Sequence, residues 1–274
     1  MLSHDAPIDL IQQGLFLVLL LIAVGSLAGI LAGLLGIGGG LVIVPALTLI
    51  LHGQGVSLEL AVPIAVATSL GSMLLTSAAA IWFHDRRSAV DWRCVQRLAP
   101  AVGLGAIFGA WVAVLVPGQV LARVFAVLAG LIGVRMLLAA RPPRREQPPF
   151  PRGWWSAGPL IGALSAMIGI GGGSFNVPYL TWNGYSPVQA VAIASSCGWL
   201  IALGGFTTFA LMAPEQSSWA TTFGHVYLPG MLIIGLAGAA TAPVGVALAH
   251  RLPAATLSRV FGVALIIVAV RMAW

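Results

Sequence analysis

The sequence predicts an all-α polytopic membrane protein: two inverted repeats of about five segments each, with short half-helices interrupted by glycine and proline. Three observations carry that fold class. Of the 274 residues, 59% are hydrophobic and only 7% are charged, against about 25% charged in an ordinary soluble domain. Apolar runs follow one another almost end to end, many of them close to the roughly 20 residues that span a hydrocarbon core. A glycine-rich motif occurs twice, each time ahead of an apolar run too short to cross. A soluble fold of this size needs a charged shell. This chain has too few charges to make one, so lipid must solvate most of its surface.

The segments follow in order. The first spans residues 10–35, or 15–35 on a stricter reading. The residues before it include Asp5 and Asp9 but no Lys or Arg. The run is also too long for the apolar core of a leader peptide, so it reads as a membrane helix and not a cleavable signal. Segment two, 41–51, contains Pro45. Its 11 residues reach only about 16 Å at 1.5 Å per residue, roughly half the core. Segments three to five are expected at 58–83, 95–116 and 120–140. A linker rich in proline and arginine occupies 141–152. Segment six is expected at 154–168, and segment seven, again short and containing Pro178, at 175–182. Segments eight to ten complete the chain at 188–212, 226–249 and 254–272.

The two short segments belong to one repeated motif. Gly-Ile-Gly-Gly-Gly-Leu-Val-Ile-Val-Pro at 36–45 recurs as Gly-Ile-Gly-Gly-Gly-Ser-Phe-Asn-Val-Pro at 169–178, an offset of 133. Ala-Thr-Ser-Leu-Gly at 67–71 recurs as Ala-Ser-Ser-Cys-Gly at 194–198, an offset of 127. The stretch 117–136 matches 253–272 at nine of 20 positions, including Arg-Val-Phe and Val-Arg-Met. Three colinear matches divide the chain into a first repeat at 1–140, a linker at 141–153 and a second repeat at 154–274.

Arginine sets the expected orientation. All 13 basic residues are Arg, and they lie in short loops between apolar runs. That placement argues for membrane topology and against nucleic-acid binding, since basic loops stay cytoplasmic. Placing the loops after segments three, five and nine in the cytoplasm puts 11 of the 13 inside. Ten crossings with both termini outside satisfy this. Re-entrant short segments would give eight crossings instead and move the N-terminus inside. The linker is cytoplasmic either way.

Paired, interrupted segments at corresponding positions are the usual sequence pointer to a transporter's substrate site. Irregular backbone survives at hydrocarbon depth only where protein or water satisfies it. A triple glycine exposes N–H groups without side chains to obstruct a ligand, and a helix beginning there offers its positive end. The candidate substrate-binding residues are therefore Gly38, Gly39 and Gly40 with Gly171, Gly172 and Gly173. The alternative is that these glycines serve helix packing. Thr68, Ser69, Ser195 and Ser196 are mid-segment hydroxyls that could donate to an oxyanion, or could bond the carbonyl four residues back. Ser174 and Asn176 stand where the first motif has Leu41 and Ile43, making the second half more polar.

All seven acidic residues lie in tails, in loops or close to segment ends. Ion pumps and proton relays keep carboxylates within the membrane, so an anion suits this chain better than a cation. No residues are expected to act catalytically or bind metal, and no cofactor is expected. Cys94 and Cys197 read as packing residues. His52, His84, His225 and His250 read as interfacial.

The paired motifs at 33–40 and 168–178, with Ala-Ile-Ala-Ser-Ser at 192–196 and the closing Arg-Val-Phe element, resemble the TauE/SafE family of sulfite exporters. The resemblance covers nearly the whole chain. It implies a bacterial inner-membrane permease for sulfite, a sulfonate such as sulfoacetate, or a related organosulfur anion, either as single chains or as a homo-oligomer. The other readings are a permease for a different small organic anion, and a membrane subunit or enzyme whose glycines only pack.

The orientation is testable in intact cells. A single cysteine at Gln147 should escape an impermeant thiol reagent until the membrane is opened. Efficient labelling from outside would reverse the assignment.

Overall fold

The computed structural model describes residues 6–138, 151–212 and 222–251, with 262–263, 266–267 and 269–270 of the last segment. The linker at 141–150, Asp5, Glu146, Glu215, Arg259 and most of segment ten lie outside these. The first five helices are α1 (Ala6–Leu35), α2 (Gly40–Gly53), α3 (Leu58–Asp85), α4 (Trp92–Leu115) and α5 (Gly118–Leu138). After the linker come α6 (Trp154–Met167), α7 (Gly173–Trp182) and α8 (Pro187–Leu211). Two two-residue strands, β1 (Thr222–Phe223) and β2 (Val226–Tyr227), pair antiparallel before α9 (Leu228–Ala249). The sequence places segment nine's start at residue 226. The first two residues of that run are strand instead, because the chain turns there before Pro229 opens the helix.

The described residues are thus nearly all helical, and six of the helices are long and apolar enough to cross a bilayer. Large apolar side chains such as Leu104, Leu131, Leu160 and Leu236 stand more than half exposed. In water that surface would aggregate, whereas lipid covers it without penalty.

Small residues let the helices approach closely. Gly25, Gly29 and Gly33 of α1 lie at four-residue spacing against the backbone of Ile234, Gly238 and Ala242 of α9. A Cβ at any of the three would overlap it. Gly105 and Gly109 of α4 meet Pro159 and Ala163 of α6 in the same way. This is the small-residue packing of membrane helices, where dispersion and close backbone approach replace the hydrophobic effect.

The paired residues also fix directions. Residue numbers rise together in the α1–α9 and α4–α6 contacts, so each of these pairs runs parallel. Ser72 and Thr76 of α3, and Arg87 in the turn just after it, meet Met231, Gly238 and Val246 of α9, again parallel. Leu70 and Ser77 of α3 meet Gly205 and Gly198 of α8 in the reverse order, so these two run antiparallel. Hence α1, α3 and α9 run one way, and α4, α6 and α8 the other. Every pairing has a counterpart: α1 lies on α9 as α6 lies on α4, and α3 lies on α9 as α8 lies on α4.

Because α1 and α3 are parallel, α2 must return between them. Its C-terminal Leu51 packs with Val56, Ala61 and Ile64 at the start of α3. The second short pair closes likewise. The Arg152 N–H donates to Asn183 Oδ1 at 2.9 Å, and the Tyr179 hydroxyl donates to the Arg152 carbonyl at 2.8 Å. Thus α6 and α7 form a hairpin with both ends on one face.

That face gathers the basic loops. Arg87 reaches the Val246 carbonyl at 3.3 Å, and His84 donates from Nε2 to the Gly33 carbonyl at 3.0 Å. This joins the ends of α1, α3 and α9. Trp82, Trp92, Trp155 and Trp182 are exposed at helix ends on the same face, as at a membrane interface.

The close approaches give a sharp contrast. Gly29→Leu must push α1 off α9. It should cost more than the usual 1–3 kcal/mol of overpacking and lower the melting temperature in detergent. Gly130→Ala on α5 meets, among the described residues, only the Ala269 Cβ at 3.7 Å and should melt at or above the wild-type temperature.

Candidate functional site

The two glycine motifs break the helical ladder at 36–39 and at 168–172, and the two breaks face each other. The backbone of Gly40 abuts the Gly169 carbonyl. Gly171 abuts the Ile37 carbonyl, and Gly173 abuts Gly36. No side chain fits at these three contacts, since a Cβ would overlap backbone that cannot rotate away. Gly39 and Gly169 also take positive φ angles of 82° and 65°, which favour glycine. The sequence reading left packing and ligand access as alternatives for these residues. Gly40, Gly171 and Gly173 pack tip against tip. Gly38 lies under the Met73 side chain, and Gly39 against the Ala28 carbonyl.

Gly172 is different. It points across to α8, where a Cβ would lie 2.9 Å from Ile201 Cδ1 and 3.5 Å from the Ala194 carbonyl. It would also lie 2.5 Å from Asn176 Nδ2, so the Asn176 amide already covers it. Asn176 is fully buried, yet neither of its amide atoms has a partner. The Ser174 hydroxyl is buried and unpartnered as well. A buried polar group left unpaired costs about 1–3 kcal/mol, so three such atoms on the first turn of one helix call for a partner.

The backbone adds donors to the same turn. In α7 the first amides with a carbonyl acceptor are those of Phe175 and Asn176, both onto Gly172. Among the described residues, none accepts from the N–H groups of Gly171, Gly172, Gly173 or Ser174. Four orphan amides are what any helix start presents. Here they are buried in protein. With the helix dipole they form an electropositive pole.

The hydroxyls predicted from sequence divide. The Ser69 Oγ donates to the Gly169 carbonyl at 2.9 Å, tying α3 to the second tip. Thr68 Oγ1 accepts from the Tyr227 amide at 2.9 Å, which anchors the β1–β2 turn over α3. Ser195 and Ser196 donate to the carbonyls of Val191 and Ala192, at 2.9 and 3.2 Å. With their protons committed to their own helix, these two have no donor left for an anion in this conformation. Of the side chains predicted for the site, Ser174 and Asn176 are the two with no hydrogen-bond partner among the described residues, while Thr68, which only accepts, keeps its hydroxyl proton.

Two contributors escaped the sequence reading. Thr76 Oγ1 approaches the Gly38 carbonyl at 3.4 Å, and Ser77 lies beside Gly198. Their signal was present. Thr68, Ser72 and Thr76 recur every four residues on one face of α3, and Ser77 lies two turns beyond Ser69.

Comparison with known proteins agrees with this picture. The family described as sulfite exporter TauE/SafE matches residues 21–272. A probable membrane transporter protein of Haemophilus influenzae is 34% identical over 263 residues, covering 93% of this chain and 97% of its own. One of Xylella fastidiosa is 33% identical, covering 91% and 92%. One of Methanocaldococcus jannaschii is 28% identical, covering 81% and 82%. No solved structure matches the chain.

The Ser69 bond can be weighed against its counterpart. Ser69→Ala leaves the Gly169 carbonyl unpaired and should lower unfolding stability by about 0.5–1.5 kcal/mol. Ser196→Ala removes only a bond within α8, which slightly destabilises helices in any case, and should change stability little. Denaturation in matched detergent would compare them.

Proposed function

The chain belongs to the TauE/SafE family, a family of membrane transporters, and from that premise we propose that it is a permease for a small sulfur-containing oxyanion. Sulfite, or a sulfonate such as sulfoacetate, is the substrate class; the membrane is the bacterial inner membrane. One observation carries the reading: the buried, electropositive start of α7, with four amide donors and the unpaired Ser174 and Asn176 side chains. An oxyanion with several acceptor oxygens satisfies such donors without needing a counter-charge.

The two halves act as inverted repeats, each supplying one hairpin tip at mid-depth. The arginine-rich face is cytoplasmic. Alternating access then amounts to one half rocking against the other around the tips, the usual motion of folds with this symmetry. With no carboxylate at mid-depth, there is no Asp- or Glu-based relay. Movement is facilitated, or is coupled through the substrate's own protonation. The β1–β2 turn, pegged to Thr68, lies over the tips from the face opposite the arginines.

Reconstitution in proteoliposomes tests the reading. Purified protein should carry sulfite or sulfoacetate in preference to chloride and sodium. Gly172→Val should abolish that flux, whereas Glu59→Gln, at the start of α3, should leave it largely intact. Selective sodium flux, or loss of all gradient-driven transport in a well-folded Glu59→Gln protein, would refute the proposal.

A further inference from the structure

Resting on that reading, we propose that the anion is seated asymmetrically: it binds at the second hairpin only, in the space between the Gly172 amide, Gly198 of α8, Ser77 of α3 and the Asn176 side chain. The first hairpin is the apolar partner that closes the opposite side.

The three elements meet at Gly198. A Cβ built there would lie 3.5 Å from the Gly172 amide nitrogen and 3.8 Å from Ser77 Oγ. Outside its own helix it would meet nothing else within 4 Å among the described residues, so the place a methyl would occupy is bounded by one unpaired amide and one hydroxyl. Ala194 and Ile201 flank Gly198 on the same face of α8, and both are what Gly172 points at. The Asn176 amide lies in that interface. The helix start therefore comes with a buried, unpartnered side chain directed into it.

The first hairpin offers no such seat. Its equivalents of Ser174 and Asn176 are Leu41 and Ile43, both fully buried in the core. The equivalent of Gly198 is Gly71, where a Cβ would run into the Met231 sulfur at 2.5 Å and the Phe206 ring at 3.1 Å. The corresponding space is filled with side chains. One anion per chain follows.

The unpaired groups also define the ligand. The Gly172 amide and one end of the Asn176 side chain donate. The other end of Asn176 is an acceptor, and a fully deprotonated oxyanion cannot satisfy it. The seat therefore takes a sulfur oxyanion group whose molecule carries a donor of its own: hydrogensulfite, a hydroxyl-bearing sulfonate, or an aminosulfonate, which is a zwitterion with an ammonium donor.

Binding measured calorimetrically on purified full-length protein tests this, with taurine, isethionate and ethanesulfonate as probes. These share a two-carbon sulfonate and differ in the terminal donor. Wild type should bind the first two more tightly than the third. Asn176→Leu, which copies the apolar character of the first hairpin, should erase that preference. Gly198→Ala should weaken all three by about tenfold or more, the loss of a hydrogen bond to a charged group. It should also melt no lower than wild type, since alanine favours the helix. The lipid-facing control Leu104→Ala, on the exposed side of α4, should bind as wild type does. Wild-type protein that neither binds nor transports any sulfonate or sulfite overturns the permease reading itself. Wild-type transport with unchanged affinity in Gly198→Ala and Asn176→Leu overturns only the seat. Equal affinity of the wild type for all three probes overturns the donor requirement.

Discussion

The constraint on which this structure depends is that backbone must be satisfied at hydrocarbon depth. Two helices are cut short in the interior, and each cut leaves amides and carbonyls without a ladder. The chain solves half of this problem by pressing the cuts together. The carbonyls of Ile37 and Gly169 lie against the α-carbons of Gly171 and Gly40, and Ser69 reaches across to the Gly169 carbonyl. Only glycine permits that approach, so the repeated motif is first a packing device. The helix pairs around it use the same economy of small residues, which holds the two halves close enough for the tips to meet.

The other half of the problem is left open: among the described residues no carbonyl accepts from the amides of 38–41 or of 171–174, and of the two helix starts only the second adds buried, unpartnered side chains. At the start of α7 the amides of 171–174 and the side chains of Ser174 and Asn176 find no protein partner. A structural core would bury leucine there, as the first hairpin does with Leu41. Unpaired polar atoms in an otherwise close-packed interior are costly, and in the proposed permease the bound anion offsets that cost. In the proposed permease the same feature sets selectivity by charge: donors without carboxylates attract anions and give cations nothing to coordinate.

Much of this was legible in the sequence. Scarce charge and repeated apolar runs fixed the class. The duplicated Gly-Ile-Gly-Gly-Gly placed both tips, and the substitution of Leu41 and Ile43 by Ser174 and Asn176 marked the polar one. Three things were not legible. Whether a glycine packs or admits a ligand depends on what stands opposite, and Gly40 and Gly172 look alike until Gly169 and α8 are in place. Whether a mid-helix serine donates outward or to its own backbone depends on its neighbours: Ser69 finds Gly169, while Ser195 and Ser196 turn back on α8. The tie between Tyr227 and Thr68 depends on a turn that apolar periodicity absorbed into a helix.

The direct test of the account is to locate the anion. A structure of the protein with selenite, a heavier analogue of sulfite, would place it by anomalous scattering from selenium. The account predicts one peak per chain, within hydrogen-bonding reach of the Gly172 amide and the Asn176 side chain. Equal peaks at both hairpin tips, or a single peak beside Gly38 or on the arginine-rich face, would contradict it.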